Sequence, residues 1–346
     1  MTAHPLLAEL RVDRPAALAR AISVVENGRP GFEALLAGIH GRLGRAHRIG
    51  ITGPPGAGKS TLTHQLTRLY RAQGLTVAIV AVDPTSPFTG GALLGDRIRM
   101  ESVSLDPGVF IRSMATRGSL GGLAMATREV CDVLDAAGFD RILIETVGVG
   151  QSELDVARMA DSTVLVLVPE SGDGIQTLKS GVMEIADLFV VNKADRPGAE
   201  KLQHEIDVAL GLRKGNAFRR ITAHHGVQLR KLGAPVPVEP EGPPAWDPPI
   251  LLATASEGGG VPAIADALAR HYAATAGSGD LVERRRRRLV QRTREVVNRA
   301  IDRWVWRETV AESLIDDRVP DMMAGRVSPY EVAADVVAGL KEGVRL

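Results

Sequence analysis

Residues 53–60 read Gly53-Pro54-Pro55-Gly56-Ala57-Gly58-Lys59-Ser60, between a short apolar run, Ile49-Gly50-Ile51-Thr52, and an amphipathic stretch from Thr61 to Tyr70. A strand, a glycine-rich loop and a helix in that order make a phosphate-binding P-loop. The spacing has a physical reason. Gly53, Gly56 and Gly58 let the chain take positive φ and turn its amides inward, so that they meet a polyphosphate at a helix N-terminus. Pro54, Pro55, Ala57 and Thr61 complete the lining, Lys59 reaches the outer phosphates, and Ser60 reaches a magnesium ion. A surface Gly-Pro turn with a chance lysine would need neither the strand before it nor the helix after it. The stretch predicts binding of a nucleoside triphosphate.

The base is written at Asn192-Lys193-Ala194-Asp195, directly after Asp187-Leu188-Phe189-Val190-Val191. The Asp195 carboxylate can accept from the ring N–H and the exocyclic amine of guanine, Lys193 can lay its stem along the base, and Asn192 can tie loops together. Adenine has no such donor pair, and a carboxylate left unpaired costs about 1–3 kcal/mol or more, enough to reject it. Alone, Asn-Lys-x-Asp also fits an ordinary helix cap; its position behind a P-loop favours guanine. Thr254-Ala255-Ser256, after Ile250-Leu251-Leu252, is expected to add a further base contact.

Two acidic strand ends lie between these markers, where a parallel sheet delivers side chains to a ligand beyond its carboxyl edge. Val77 to Val82 runs into Asp83-Pro84-Thr85-Ser86-Pro87, and Arg141 to Ile144 runs into Glu145-Thr146-Val147-Gly148. Asp83 and Glu145 are assigned to the magnesium and attacking-water shell, since Mg²⁺ takes oxygen ligands and needs only one or two carboxylates beside phosphate and water. Both residue types also serve as ordinary turn or cap residues. Gly148 would place an amide near the γ-phosphate, and Asp96, in the glycine-rich run from Gly90 to Arg97, is a further metal-shell candidate on a switch-like loop.

Longer strings carry a resemblance. Val82-Asp83-Pro84-Thr85-Ser86-Pro87 through Leu94-Gly95-Asp96-Arg97-Ile98-Arg99-Met100, then Phe110 to Gly118, then Glu145-Thr146-Val147-Gly148-Val149-Gly150-Gln151-Ser152-Glu153, resemble the methylmalonyl-CoA mutase-associated GTPases, the MeaB family. The likeness continues through Gly172 to Lys179 and the Asn192 motif to Ser328-Pro329-Tyr330. It implies a P-loop GTPase with a Glu-x-x-Gly switch, coupled to loading and protecting an adenosylcobalamin-dependent acyl-CoA mutase. Ser119, Glu170 and Thr254 depart from the pattern, outside the phosphate-binding core. Gly211 to Pro244 reads as an inserted surface loop that bears on partner choice.

The expected fold is α/β, a mostly parallel, doubly wound sheet flanked by N-terminal helices and a C-terminal helical arm. Residues 1–47 show helical spacing at Leu6, Leu7 and Leu10 and at Leu18, Ile22 and Val25. Over 48–276, apolar strand candidates alternate with helical stretches, the mark of βαβ units. Residues 277–346 form the arm: a turn at Gly277-Ser278-Gly279, one helix from Asp280 to about Leu314, and another after Pro329. Its apolar stripe lacks a partner within its own length, so the arm is expected to contact a second subunit and make a homodimer, a reading the resemblance supports.

Composition bounds the rest. The chain has 346 residues, 45% hydrophobic and 24% charged, with formal net charge +1. One cysteine, Cys131, excludes an internal disulfide framework and fits a reducing cytoplasmic setting. No run approaches the roughly 20 apolar residues of a membrane span, so no membrane is expected. Near-neutral charge and 3% aromatic residues argue against nucleic acid, and the five arginines Arg284 to Arg288 scatter around a helix rather than forming one patch. No Gln directly follows Gly148, so intrinsic turnover is expected to be slow, with a partner mutase ordering the loops around Asp96 and around Gly172 to Lys179 and so swinging Arg97, Arg112 or Lys179 into better positions. Other readings stay open. A metallochaperone GTPase would carry a metal-binding tract, whereas only His224 and His225 adjoin here; a kinase would need an acceptor pocket; a GTP-gated scaffold would bind without releasing phosphate.

Overall fold

A computed structural model describes residues 4–83, 101–115, 120–146, 152–169, 182–213 and 246–341. The chain divides into two compact units, one ending at Leu281 and the other beginning at Val282.

The strands of the first unit are β1 (His47–Thr52), β2 (Val77–Asp83), β3 (Val109–Ala115), β4 (Arg141–Thr146), β5 (Ser162–Leu167), β6 (Leu188–Asn192) and β7 (Ile250–Ala253). They form one seven-stranded sheet in the order β3-β2-β4-β1-β5-β6-β7, with every neighbouring pair parallel. Its helices are α1 (Pro15–Glu26), α2 (Phe32–Ile39), α3 (Lys59–Ala72), the single turn α4 (Glu101–Ser104), α5 (Leu120–Ala137), α6 (Ser152–Met159), α7 (Ala199–Arg213) and α8 (Val261–Ser278). The chain passes from β1 to β2 across the position later filled by β4, and β5 to β7 extend the sheet the other way. That reversal beside β1 is where open α/β sheets bind ligands.

Strand side chains alternate between two apolar layers. Ala78, Val80, Ile142 and Ile144 pack with Leu18, Ile22 and Leu134 of α1 and α5. Val77, Ile79, Ile51 and Leu143 face Leu62 and Leu66 of α3 and Ile264 and Leu268 of α8. A third layer joins Leu165, Leu167, Phe189 and Val191 to Leu202 and Ile206 of α7. Each fully buried Leu, Ile or Val contributes about 1.5–3 kcal/mol of transfer free energy, and a sheet covered on both faces explains why its strands read as continuous apolar runs.

Charges at the foot of the sheet fix how β1 enters it. Asp135 of α5 accepts from the amides of Gly44, Arg45 and Ala46 at 2.9, 3.1 and 3.0 Å. Arg48 reaches Asp132 and Asp135 at 2.8 and 2.9 Å. Buried charges satisfied this fully hold a register, whereas removing one partner would strand the others at a cost of about 3–5 kcal/mol.

Three expectations change. The turn at Gly277-Ser278-Gly279 narrows to Gly279, which leaves α8 at φ +84°, because Gly277 and Ser278 complete that helix. The helix expected from Asp280 to about Leu314 is two, α9 (Asp280–Glu308) and α10 (Ala311–Met323), followed by α11 (Pro329–Lys341). Thr309 makes the break: its hydroxyl donates to Val305 O at 2.6 Å and accepts from the Ala311 amide at 3.2 Å, closing one helix and opening the next. Of the segment read as an inserted loop, Gly211 to Arg213 are instead the end of α7, and residues 214–245 lie outside the described ones. No helix of the described residues is long and apolar enough to cross a membrane.

Gly50 shows how tightly β1 is held. A Cβ there would lie 2.7 Å from Val156 Cγ1 and 3.0 Å from Ala160 Cβ of α6 and its end. Gly50→Ala is expected to lower stability by about 1–3 kcal/mol through overpacking. Gly41→Ala, which meets no atom within 4 Å, should stay within about 0.5 kcal/mol. Urea midpoints of the two variants check this, and equal midpoints would show that α6 yields to the added methyl.

Candidate active site

The P-loop leaves β1 at Thr52 and enters α3 at Lys59. Gly53, Gly56 and Gly58 all take positive φ, at +139°, +74° and +87°. Only glycine suits two of them sterically. A Cβ on Gly53 would lie 2.1 Å from Val166 O of β5, and one on Gly58 would lie 2.3 Å from Asn192 Nδ2. Pro54 and Ala57 are buried while Pro55 and Gly56 are exposed at the crest, and Ser60 and Thr61 are half-buried in the first turn of α3. That turn presents a helix N-terminus to the loop, the arrangement that attracts an anion.

Lys59 is buried, and its ammonium donates to Gly53 O at 2.8 Å and Pro54 O at 2.9 Å. The same cation therefore braces the loop it would serve. Ser60 Oγ donates to Glu145 Oε1 at 2.5 Å, and Glu145, one residue before the end of β4, is 6% exposed. A hydroxyl and a carboxylate are hard oxygen donors, and together at the mouth of a phosphate loop they suit Mg²⁺, which binds few protein ligands and keeps its waters. The backbone of Asp83 closes β2 at the same carboxyl edge, paired with Ala115 of β3. Asp96, Gly148, Arg97 and Lys179 lie outside the described residues. Arg112 is engaged elsewhere: its guanidinium pairs with Glu26 of α1, so it is held toward the N-terminal helices rather than free to swing.

Asn192 is the hinge pin of the base side. Its Nδ2 donates to Ala57 O at 2.8 Å, and its Oδ1 accepts from the Ala255 amide at 3.1 Å. One buried side chain thus joins the P-loop to the turn after β7. Lys193 next to it stands at φ +55°, the one non-glycine residue with positive φ among the described residues. That conformation is held by Arg196 N donating to Lys193 O and Ala194 N donating to Ala253 O, each at 3.0 Å. Lys193 is half-buried and Asp195 exposed, so the carboxylate is open to a ligand. In the turn after β7, Ala255 is buried, Thr254 half-buried and Ser256 exposed.

The sequence points to Lys59, Asn192 and Ala255 but not to the Lys59 brace or to the Ala255 amide as the partner of Asn192 Oδ1, and it singles out neither member of the hydroxyl contact between Thr146 and Thr52 at 3.2 Å. Nothing in the spacing marks Thr52 or Thr146, because strand threonines are common and only parallel pairing brings these two together.

Comparison with known proteins gives the following. A family model described as methylmalonyl Co-A mutase-associated GTPase MeaB matches residues 18–309. A Pyrococcus horikoshii protein named provisionally as a GTPase is 43% identical over 332 residues, 96% of each chain. The Mus musculus methylmalonic aciduria type A homolog, mitochondrial, is 39% identical over 235 residues, 65% of this chain and 53% of that one. The crystal structure of a LAO/AO transport system kinase aligns over 99% of both chains with a TM-score of 0.64 and 28% identity.

Replacing Asn192 by Ala leaves two buried backbone groups, Ala57 O and Ala255 N, without this partner. The expected loss of stability is about 1–3 kcal/mol, read as a lowered melting temperature, with nucleotide affinity falling as well because the two loops separate. A variant that keeps both at wild-type values would show that the bridge is incidental.

Proposed function

This chain belongs to the methylmalonyl Co-A mutase-associated GTPase family, MeaB, and from that premise we propose that it hydrolyses GTP to drive the assembly, cofactor loading and protection of an adenosylcobalamin-dependent acyl-CoA mutase, methylmalonyl-CoA mutase in the first instance. The observation that carries the reading is the match of residues 18–309 to a model for mutase-associated GTPases. The likeness to the mouse methylmalonic aciduria type A homolog supports the same partner.

The chemistry proposed is in-line attack of water on the γ-phosphoryl group, in which the protein positions and stabilises rather than forming a covalent bond. The amides of Gly53 to Ser60 and the Lys59 ammonium receive the phosphates. To do so, Lys59 exchanges its bonds to Gly53 O and Pro54 O for phosphate oxygens, which keeps a buried cation satisfied in both states. Mg²⁺, held by Ser60 and Glu145 with Asp83 and Asp96, would supply charge neutralisation on the transferring group. Gly148 would report the γ-phosphate to the segment that follows it. Asp195 reads guanine, with Lys193 along the base and the turn at Thr254, Ala255 and Ser256 beneath it.

The arm is the proposed subunit contact. Leu289, Val290, Val296, Val297, Ile301 and Trp304 of α9 are 38–50% exposed, and α9 is about 43 Å long at 1.5 Å per residue. Exposed apolar side chains repeated along a helix mark an interaction face. A second copy of the chain is the proposed occupant, giving a cytoplasmic homodimer.

Two measurements check this. Purified protein should release phosphate slowly from GTP and negligibly from ATP, faster with methylmalonyl-CoA mutase present, and Lys59→Ala should lose roughly a hundredfold or more. GTP turnover indifferent to the mutase would remove the partner and leave the hydrolase. In the full chain, Val297→Asp with Ile301→Asp should sediment as monomer with nucleotide binding intact; an unchanged dimer would place the contact elsewhere.

A further inference from the structure

Two consecutive residues at the start of α3 are bonded to two different strand ends. Lys59 donates to Gly53 O, at the exit of β1, while Ser60 donates to Glu145 Oε1, at the exit of β4. The backbone ladder between β1 and β4 runs only as far as Ile51 opposite Glu145. Beyond it, Thr52 and Thr146 keep only their outer ladder partners, Leu165 of β5 and Val82 of β2. What still joins them is a side-chain contact: Thr146 Oγ1 donates to Thr52 Oγ1 at 3.2 Å. Both threonines are fully buried.

The contact closes a ring. It runs from Lys59 to Gly53, back one residue to Thr52, across to Thr146, back one residue to Glu145, and from Glu145 to Ser60 beside Lys59. Strand alternation puts Thr52 on the same face as Gly50, which α6 covers, and Thr146 on the face of Ile144 in the same apolar layer. The hydroxyls therefore meet on the side of the sheet away from α3, where a methyl group in place of either would leave the other polar group in an apolar layer.

We propose that Thr52 and Thr146 are positioning residues that set the separation of Ser60 and Glu145, and through it the affinity for Mg²⁺, without touching nucleotide or metal. This rests on the reading of Ser60 and Glu145 as the magnesium donors. Glutamate is one methylene longer than aspartate and has one more torsion to fix, so the backbone beside it must be held for its carboxylate to stay at Ser60. The P-loop side is closely packed, since a Cβ on Gly53 would lie 2.1 Å from Val166 O; the hydroxyl pair ties β4 to it.

The test is calorimetric GDP binding across a Mg²⁺ titration. Thr146→Val keeps the branched shape and removes the hydroxyl. It is expected to raise the half-effect Mg²⁺ concentration about three- to tenfold, the span of one buried neutral hydrogen bond, while GDP affinity in EDTA stays at the wild-type value. Thr146→Ser should restore the wild-type Mg²⁺ dependence, and Glu145→Gln should move it further in the same direction. A shift with Glu145→Gln and none with Thr146→Val overturns the positioning role alone; no shift with either overturns the magnesium assignment and the proposal with it. Equal weakening with and without Mg²⁺ would make the contact merely structural and overturn it too. If Thr146→Val does not fold, the Thr52→Val and Thr146→Val double variant leaves no unmatched hydroxyl and carries the same expectation.

Discussion

The Asn192 amide is the contact on which the site's geometry turns. The phosphate loop comes from β1 and the base-side turn from β7, and between those strands lie β5 and β6. A purely backbone sheet could not keep two loops from strands that far apart at a fixed separation. Asn192 ends β6 and uses both ends of its amide, giving to Ala57 O and taking from Ala255 N. Its neighbour Gly58 has to lack a side chain for the amide to approach. The Lys193 backbone then takes an unfavourable left-handed turn, worth of order 1 kcal/mol or more, that the surrounding bonds hold in place. The P-loop and the turn after β7 are thereby tied together at one edge of the sheet.

At the opposite end of the strands a second buried network keeps the sheet from shearing. The Ser162 hydroxyl bridges His47 Nε2 at 2.8 Å and His271 Nδ1 at 2.7 Å, and His271 Nε2 lies 3.1 Å from Asp187 Oδ1. Asp187 also accepts from the Thr163 amide, and its carbonyl accepts from the Trp246 indole. The network joins β1, β5, the entry to β6 and α8 at the foot of the sheet, as Arg48, Asp132 and Asp135 join β1 to α5. Buried polar networks of this kind favour one arrangement of otherwise interchangeable apolar layers.

The arm obeys different physics. Among its described residues few are buried, Ala311, Val332 and Val336 being the clearest. In proteins most helical stability comes from packing an apolar face rather than from the helix's own turns, and the ion pairs of Glu283 with Arg286 and Arg287 are solvent-exposed and add little. Guanidinium neighbours hold the Glu283 carboxyl down at about 2, so these charges stay paired across the physiological range. Along α9, Leu289, Val297 and Ile301 are each about half-exposed.

Strand-loop-helix order, glycine spacing and the Asn192 motif were legible in the sequence because each is local: positive φ, helix polarity and donor pattern are properties of a few consecutive residues. The α/β class was legible too, since a sheet buried on both faces writes itself as repeated apolar runs. Tertiary structure alone decided the rest. It placed β4 between β1 and β2, which is what sets Glu145 beside Ser60. It turned Arg112 toward Glu26, which no spacing could signal across the 86 positions that separate them. It ended α9 at Thr309 through a hydroxyl that could equally have pointed to solvent, and it paired Thr52 with Thr146 across a rung where the ladder stops. Local chemistry is fixed by neighbours in sequence; distances between strand ends are fixed only when the whole sheet closes its apolar layers.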